Sequence, residues 1–240
     1  MYKSLILKSK DRINKVASAN DAEFYIDWGS ILPDGKYRVN YSICKSIDIR
    51  IPYVFRVKSF TSTVPSQVNG LSLINTSDVS TVYDSKRGYV FSFNGLNSLK
   101  LNIVTPIEST KTFWVSVGNP YNDFNNVYSS LARPIYFLRT SYLKSFVNFI
   151  HPSNTKVESN IPQTAEWMFY AVTTSASETK MYVNGVLVET KSVSSIQETS
   201  PIFFGCYNNS AFYTGKLDDM RMYDSILPPA YIERMYKDLI

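Results

Sequence analysis

The chain has 240 residues, a formal net charge of +5, 44% hydrophobic and 19% charged residues. That is enough for one large domain, or one domain with an appendage, and too balanced for a disordered chain. The 18 Tyr and 14 Phe, with abundant Ser, Thr, Asn and Val, suit strands and their turns and leave little room for helix. No run approaches the ~18 apolar residues of a membrane-spanning helix. Leu5 to Leu7 is shorter than the about 7 apolar residues of a cleavable signal. A soluble protein, made in the cytosol or exported by another route, is therefore expected. Cys44 and Cys206 stand too far apart to suggest a disulfide framework and read as reduced thiols. Asn40, Asn75 and Asn208 begin Asn-x-Ser sequons, which stay idle outside a secretory pathway.

The charge is uneven. Residues 1–58 hold 11 basic and 6 acidic residues, whereas residues 59–240 hold 14 of each. Lys3, Lys8, Lys10, Arg12 and Lys15 cluster within a stretch lacking periodicity, which reads as an extended arm docking onto an acidic partner. Nucleic acid is the weaker candidate partner, because the cluster is short and has no interleaved aromatics. The arm also carries Leu5, Ile6, Leu7, Ile13 and Val16, which a free tail would leave in water. Docking onto a partner and folding back as an extra strand are both open.

Ala22 to Trp28 and Lys36 to Ile43 alternate around the turn signal Pro33-Asp34-Gly35, predicting two antiparallel strands, and a third is predicted over Tyr53 to Val57. From residue 60 onward, short strands alternate with turns. They are predicted at Tyr89–Phe93, Ser98–Ile103, Thr112–Val117, Ile135–Leu138, Phe146–Ile150, Trp167–Thr174, Thr179–Val183, Val186–Lys191, Ile202–Cys206 and Gly215–Tyr223. Asn184-Gly185 predicts a two-residue type I′ hairpin, because both residues tolerate positive φ. Pro228-Pro229, followed by Ile232, Met235, Tyr236 and Leu239 at helical spacing, predicts one terminal helix. The fold class read from this series is an all-β antiparallel sandwich with a β-rich N-terminal extension, residues 1–58, and a main domain, residues 59–240.

Several segments, in this order, resemble the laminin-G-like (concanavalin A-like lectin/glucanase) superfamily. They are Arg87-Gly88-Tyr89-Val90-Phe91-Ser92-Phe93-Asn94-Gly95, Lys111-Thr112-Phe113-Trp114-Val115-Ser116-Val117, Glu166-Trp167-Met168-Phe169-Tyr170-Ala171-Val172, Met181-Tyr182-Val183-Asn184-Gly185-Val186-Leu187-Val188 and Gly215-Lys216-Leu217-Asp218-Asp219-Met220-Arg221-Met222-Tyr223. The resemblance spans about residues 60–236. It implies a jelly roll of two antiparallel sheets with Trp167 in the core. The N-terminal segments Ser9 to Ile13, Phe24 to Ile26 and Gly35 to Val39 resemble openings of virion proteins of large DNA viruses and virophages. That second resemblance implies a minor capsid-type protein whose partner is a viral capsid.

Catalytic chemistry finds little to work with. His151, the single histidine, has no nucleophile motif beside it, and one His with two distant Cys makes no zinc site. Glycosidases need two carboxylates across a cleft. Asp218 and Asp219 are adjacent, so a regular strand would point them to opposite faces. Relatives implied by the resemblance hold calcium at the Asp218 position, but no second acidic cluster accompanies it, so no metal and no cofactor are expected. The loops at Asn119–Asn126 and Tyr207–Tyr213 have the aromatic and amide groups of a sugar site, with Tyr121, Asn122, Asp123, Tyr207 and Asn208 as candidate ligand residues. Two non-enzymatic functions stay open: an assembly protein docking through its N-terminal arm, and a carbohydrate-binding, lectin-like module.

Overall fold

The computed structural model describes residues 16–17, 23–31, 37–44, 53–118, 125–130, 134–138, 144–148, 156–159, 161, 165–192, 201–207 and 209–237. The chain divides into two compact units, Met1–Ile51 and Pro52–Ile240. In the first, β1 (Val16–Ala17), β2 (Glu23–Ile31) and β3 (Tyr37–Cys44) form an antiparallel sheet in that order. The predicted pair around Pro33-Asp34-Gly35 is present as β2 and β3, with Trp28 opposite Val39.

The second unit carries β4 (Phe55–Val57), β5 (Gln67–Val68), β6 (Leu71–Thr76), β7 (Ser80–Asp84), β8 (Gly88–Asn94), β9 (Ser98–Leu101) and β10 (Ser109–Val117). It continues with β11 (Asn125–Ser129), β12 (Pro134–Leu138), β13 (Lys144–Asn148), β14 (Lys156–Ser159), β15 (Met168–Thr174) and β16 (Glu178–Val183). The last elements are β17 (Val186–Ser192), β18 (Ile202–Phe204), β19 (Thr214–Tyr223) and the helix α1 (Pro229–Tyr236). They build two sheets, ordered β17-β16-β15-β10-β19-β8-β7, with β4 also on β19, and β14-β13-β12-β11-β18-β9-β6-β5. Every pairing is antiparallel, and the fold is the all-β jelly-roll sandwich that the sequence predicts.

Alternation explains the core. Phe113 and Val115 of β10, Tyr170 and Val172 of β15, and Leu217, Met220 and Met222 of β19 enter one cluster with Leu99, Leu101, Tyr128 and Phe204 of the facing sheet. The aromatic rings bridge the sheets. Phe113 meets Tyr128 at 5.7 Å, and Tyr128 and Phe55 each meet Phe204 at 5.8 Å, within the range of favourable ring contacts. Cys206 is a buried thiol, and burial pushes its pKa up.

β4 is a strand of the sandwich, not of the N-terminal extension in which the sequence reading placed it. It pairs with β19, Arg56 opposite Arg221, because Phe55 and Val57 are needed in the core.

The helix follows the predicted spacing, with Pro at its first turn and Ile232 and Met235 buried. The Asn184-Gly185 turn has φ of 50° and 79°, as a type I′ hairpin requires. It also meets the helix: a Cβ on Gly185 would lie 3.2 Å from the Cα of Glu233 and 3.2 Å from the Cβ of Tyr236. Gly185→Val is therefore expected to cost at least about 2 kcal/mol, from left-handed strain and overpacking together. A melting temperature within a degree or so of the parent would refute this account of the turn.

Candidate functional site on the outer face of the sandwich

The outer face of the first sheet is shaped by an irregularity in β19. Its register against β10 shifts between the pairs Thr112–Arg221 and Trp114–Asp218, and Asp219 has φ of 49°. Leu217, Met220 and Met222 stay inward while Asp218, Asp219 and Arg221 all face out. The expectation that Asp218 and Asp219 point to opposite faces is thus corrected: a bulge inserts one residue and breaks the period of two.

The two carboxylates do not act as an acid–base pair, because basic groups hold both. Asp219 receives the Arg56 guanidinium at 2.6 and 3.0 Å and the Arg221 guanidinium at 3.0 and 2.6 Å. Asp218, fully buried, receives Lys58 Nζ at 2.9 Å and Arg87 Nε at 3.0 Å. Burial works to raise the pKa of Asp219, but the paired guanidiniums outweigh it and hold the carboxyl far below its usual range. At Asp218 burial prevails over Lys58 and Arg87, and its pKa lies above the ordinary value. A calcium ion at Asp218 would have to displace these cations.

Arg87 links this cluster to an aromatic floor. Its guanidinium lies 4.0 Å from the Trp114 ring centroid, a cation–π distance. Trp114 also stacks on Tyr236 of the helix at 6.0 Å and meets Phe169 at 5.2 Å. Beside it opens a cleft of about 470 Å³, lined by Lys86, Arg87, Trp114, Glu166, Trp167, Tyr236 and Lys237.

Trp167 is only half-buried, which corrects its expected place in the core. The strand begins one residue later, at Met168, and the buried tryptophan of this face is Trp114. Trp167 lines the cleft and lies near the Asp84 carboxylate. Asp84 accepts Lys216 Nζ at 3.0 Å and the Lys86 backbone N–H at 3.0 Å. Burial works to raise the Asp84 pKa, but these hydrogen bonds outweigh it and leave the carboxyl below its usual range.

Of the candidate docking and ligand residues singled out from sequence, Tyr207 alone lies among the described residues, and it does not line the cleft. Lys3, Lys8, Lys10, Arg12, Lys15, Tyr121, Asn122, Asp123, His151 and Asn208 lie outside the described residues. Tyr207 is half-buried in a turn whose backbone pairs with Ser210. Asn126, in β11, donates from Nδ2 to the Ala211 carbonyl at 2.8 Å. The cleft is not legible in the sequence because Trp167 opens a predicted strand and Arg87 and Glu166 sit in segments that read as strand lead-ins. Charged residues just ahead of each strand, Lys86-Arg87 and Glu166, are the available signal. Among the described residues no cluster of His, Cys, Asp and Glu has the grouping of a metal site, and no helix is long and apolar enough to cross a membrane.

The sequence matches the family model of the concanavalin A-like lectin/glucanases superfamily over residues 97–233. A comparison with curated proteins returned no match. Domain 4 of an extracellular arabinanase from Geobacillus stearothermophilus, solved in complex with arabinotriose, superposes with a TM-score of 0.56 at 14% identity, covering 70% of this chain and 90% of that domain. The receptor-binding domain of botulinum neurotoxin type G gives 0.61 at 13% identity, covering 78% of this chain and 51% of that one. The binding domain of Paraclostridial Mosquitocidal Protein 1 gives 0.61 at 15%, covering 78% and 52%. The chain spans about half the length of the two toxin domains. At these identities the likeness is one of fold.

Proposed function

The chain belongs to the concanavalin A-like lectin/glucanases superfamily, and from that premise we propose that it is a non-catalytic saccharide-binding module whose site is the outer-face cleft. One observation carries the reading: Trp167 stands half-buried at the cleft wall, with the charged side chains of Lys86, Arg87, Glu166 and Lys237 around it. Sugar sites pair an aromatic surface, fixed in place, with polar groups that orient the ring hydroxyls. The fold-level neighbour that was solved with arabinotriose agrees with this reading. The non-catalytic part rests on the carboxylates. Hydrolysis of a glycoside needs two of them at the reacting bond. Here Asp218 and Asp219 are tied to basic groups beneath the surface, and among the described residues Glu166 is the one carboxylate lining the cleft.

The test is a glycan array that includes arabinotriose, followed by calorimetry on the full chain and on Trp167→Ala. The substitution is expected to weaken binding at least about tenfold, or about 1.4 kcal/mol, with a near-unchanged melt. Saccharide binding that survives Trp167→Ala would place the site elsewhere, with the loops at Asn126 and Tyr207–Tyr213 next in line.

A second reading concerns residues 1–51, which form a unit with its own sheet, outside the family match. That unit would attach the module to a larger protein assembly, a viral particle being the one suggested by its sequence. Deleting it should abolish attachment and spare the cleft.

A further inference from the structure

Resting on the saccharide-binding reading and narrowing it, we propose that the cleft takes an anionic saccharide, one bearing carboxylates on its rings. Among the side chains lining the cleft, Lys86, Arg87 and Lys237 are cationic and Glu166 alone is acidic. The two lysines stand on different elements. Lys86 lies in the β7–β8 turn and Lys237 caps the C-terminal end of α1, with Trp167 and Tyr236 lining the same cleft.

Each lysine already holds a carboxylate. Lys86 Nζ binds Glu166 at 2.6 Å with the two side chains 64% and 72% exposed, and Lys237 Nζ binds Glu233 at 2.6 Å with both 54% exposed. Exposed pairs of this kind are weak and screened by water, so an incoming carboxylate exchanges with the resident one at little cost. Glu166 thus occupies the place that a ring carboxylate of the ligand would take. A ligand whose ring lies against Trp167 and whose carboxylate reaches Lys86 gains a charge-assisted hydrogen bond. The ion-pair cluster that Arg87 joins, where Arg56, Lys58, Arg87 and Arg221 meet Asp218 and Asp219, adds to the positive field.

The experiment is calorimetry on the full chain with three probes: a galacturonate trisaccharide, its methyl ester and arabinotriose. The acid is expected to bind about tenfold more tightly than the ester, with that preference shrinking as salt is raised. Lys86→Ala should remove most of the preference while melting like the parent, since an exposed pair contributes little stability. Glu166→Gln should move affinity the other way, raising the ratio of acid to ester by about threefold or more, because the competing carboxylate is gone. Equal binding of acid and ester, an unchanged ratio in Glu166→Gln, or no binding of the acid would each overturn the proposal. If all three probes bind with equal affinity and all are lost in Trp167→Ala, the cleft reading stands and the anionic class falls. If acid binding ignores Trp167→Ala, the cleft reading itself falls.

Discussion

Replacing Asp219 by Ala is expected to destabilise the protein by about 3–5 kcal/mol, the loss typical of removing one partner from a buried ion pair. Asp219 is almost inaccessible and accepts four hydrogen bonds from the guanidiniums of Arg56 and Arg221. Without it, both guanidiniums lose their shared carboxylate at a site where water solvates them poorly. The Arg56 pair also ties β4 to β19, so its loss frees the edge at which the sandwich begins. Part of the effect is backbone strain, because Ala at φ of 49° costs about 1 kcal/mol that Asp or Asn largely avoids. Asp219→Asn separates the two causes. It keeps the bulge and removes the charge, and it should still lose at least about 2 kcal/mol. The pH dependence has a definite sign. The folded-state pKa of Asp219 is lowered, so the stability it contributes is present above the ordinary carboxylate range and is lost as pH falls below it. Asp219→Asn should therefore flatten the acid arm of the melting curve against pH. A loss under about 1 kcal/mol in Asp219→Ala would mean that the cluster is a surface feature of little energetic consequence.

The strands legible in the sequence were those with strong alternation and a turn on either side. β10, β15, β16, β17 and β19 fall within three residues of their predicted bounds. β10, β15 and β16 face the core with apolar side chains at every second position, and β17 is marked by the Asn184-Gly185 turn that precedes it. β5, β6, β7, β11 and β14 were not predicted. β5 has two residues, β7 is an edge strand whose burial barely alternates, and Asn125-Asn126 and Lys156 look like loop residues until neighbouring strands supply their partners. The site was less legible than the fold for a related reason. A period of two assigns Asp218 and Asp219 to opposite faces, and only the bulge at Asp219 brings them together. Likewise a Trp at the head of an apolar run reads as core. Its actual place is the wall of a cleft shared with Lys86 and Arg87, which stand far away in sequence at the β7–β8 turn. Long-range juxtapositions of this kind leave no local pattern to read.

Trp114→Ala is expected to cost about 3–5 kcal/mol, in contrast to the small effect on stability expected at Trp167. Trp114 is 8% exposed, with Arg87 4.0 Å from its ring centroid, Phe169 at 5.2 Å and Tyr236 at 6.0 Å. Truncation leaves a void that none of the three can fill without giving up another contact. Arg87 is held by Asp218, Phe169 by the sheet, and Tyr236 by a helix turn that already touches Gly185. At roughly 2–4 °C per kcal/mol for a domain of this size, the melting temperature should fall by roughly 6–20 °C. Tyr236→Ala should be milder alone, and in the Trp114→Ala background it should cost markedly less than in the parent, because the stacked pair is removed only once. The sign of that coupling is the discriminating measurement. Additive losses would mean that the helix is held by Ile232 and Met235 alone and that the ring stack is incidental. A coupling of about 0.5 kcal/mol or more would show that Trp114 fastens the end of the helix to the sheet and so fixes the wall of the cleft that Tyr236 and Lys237 provide.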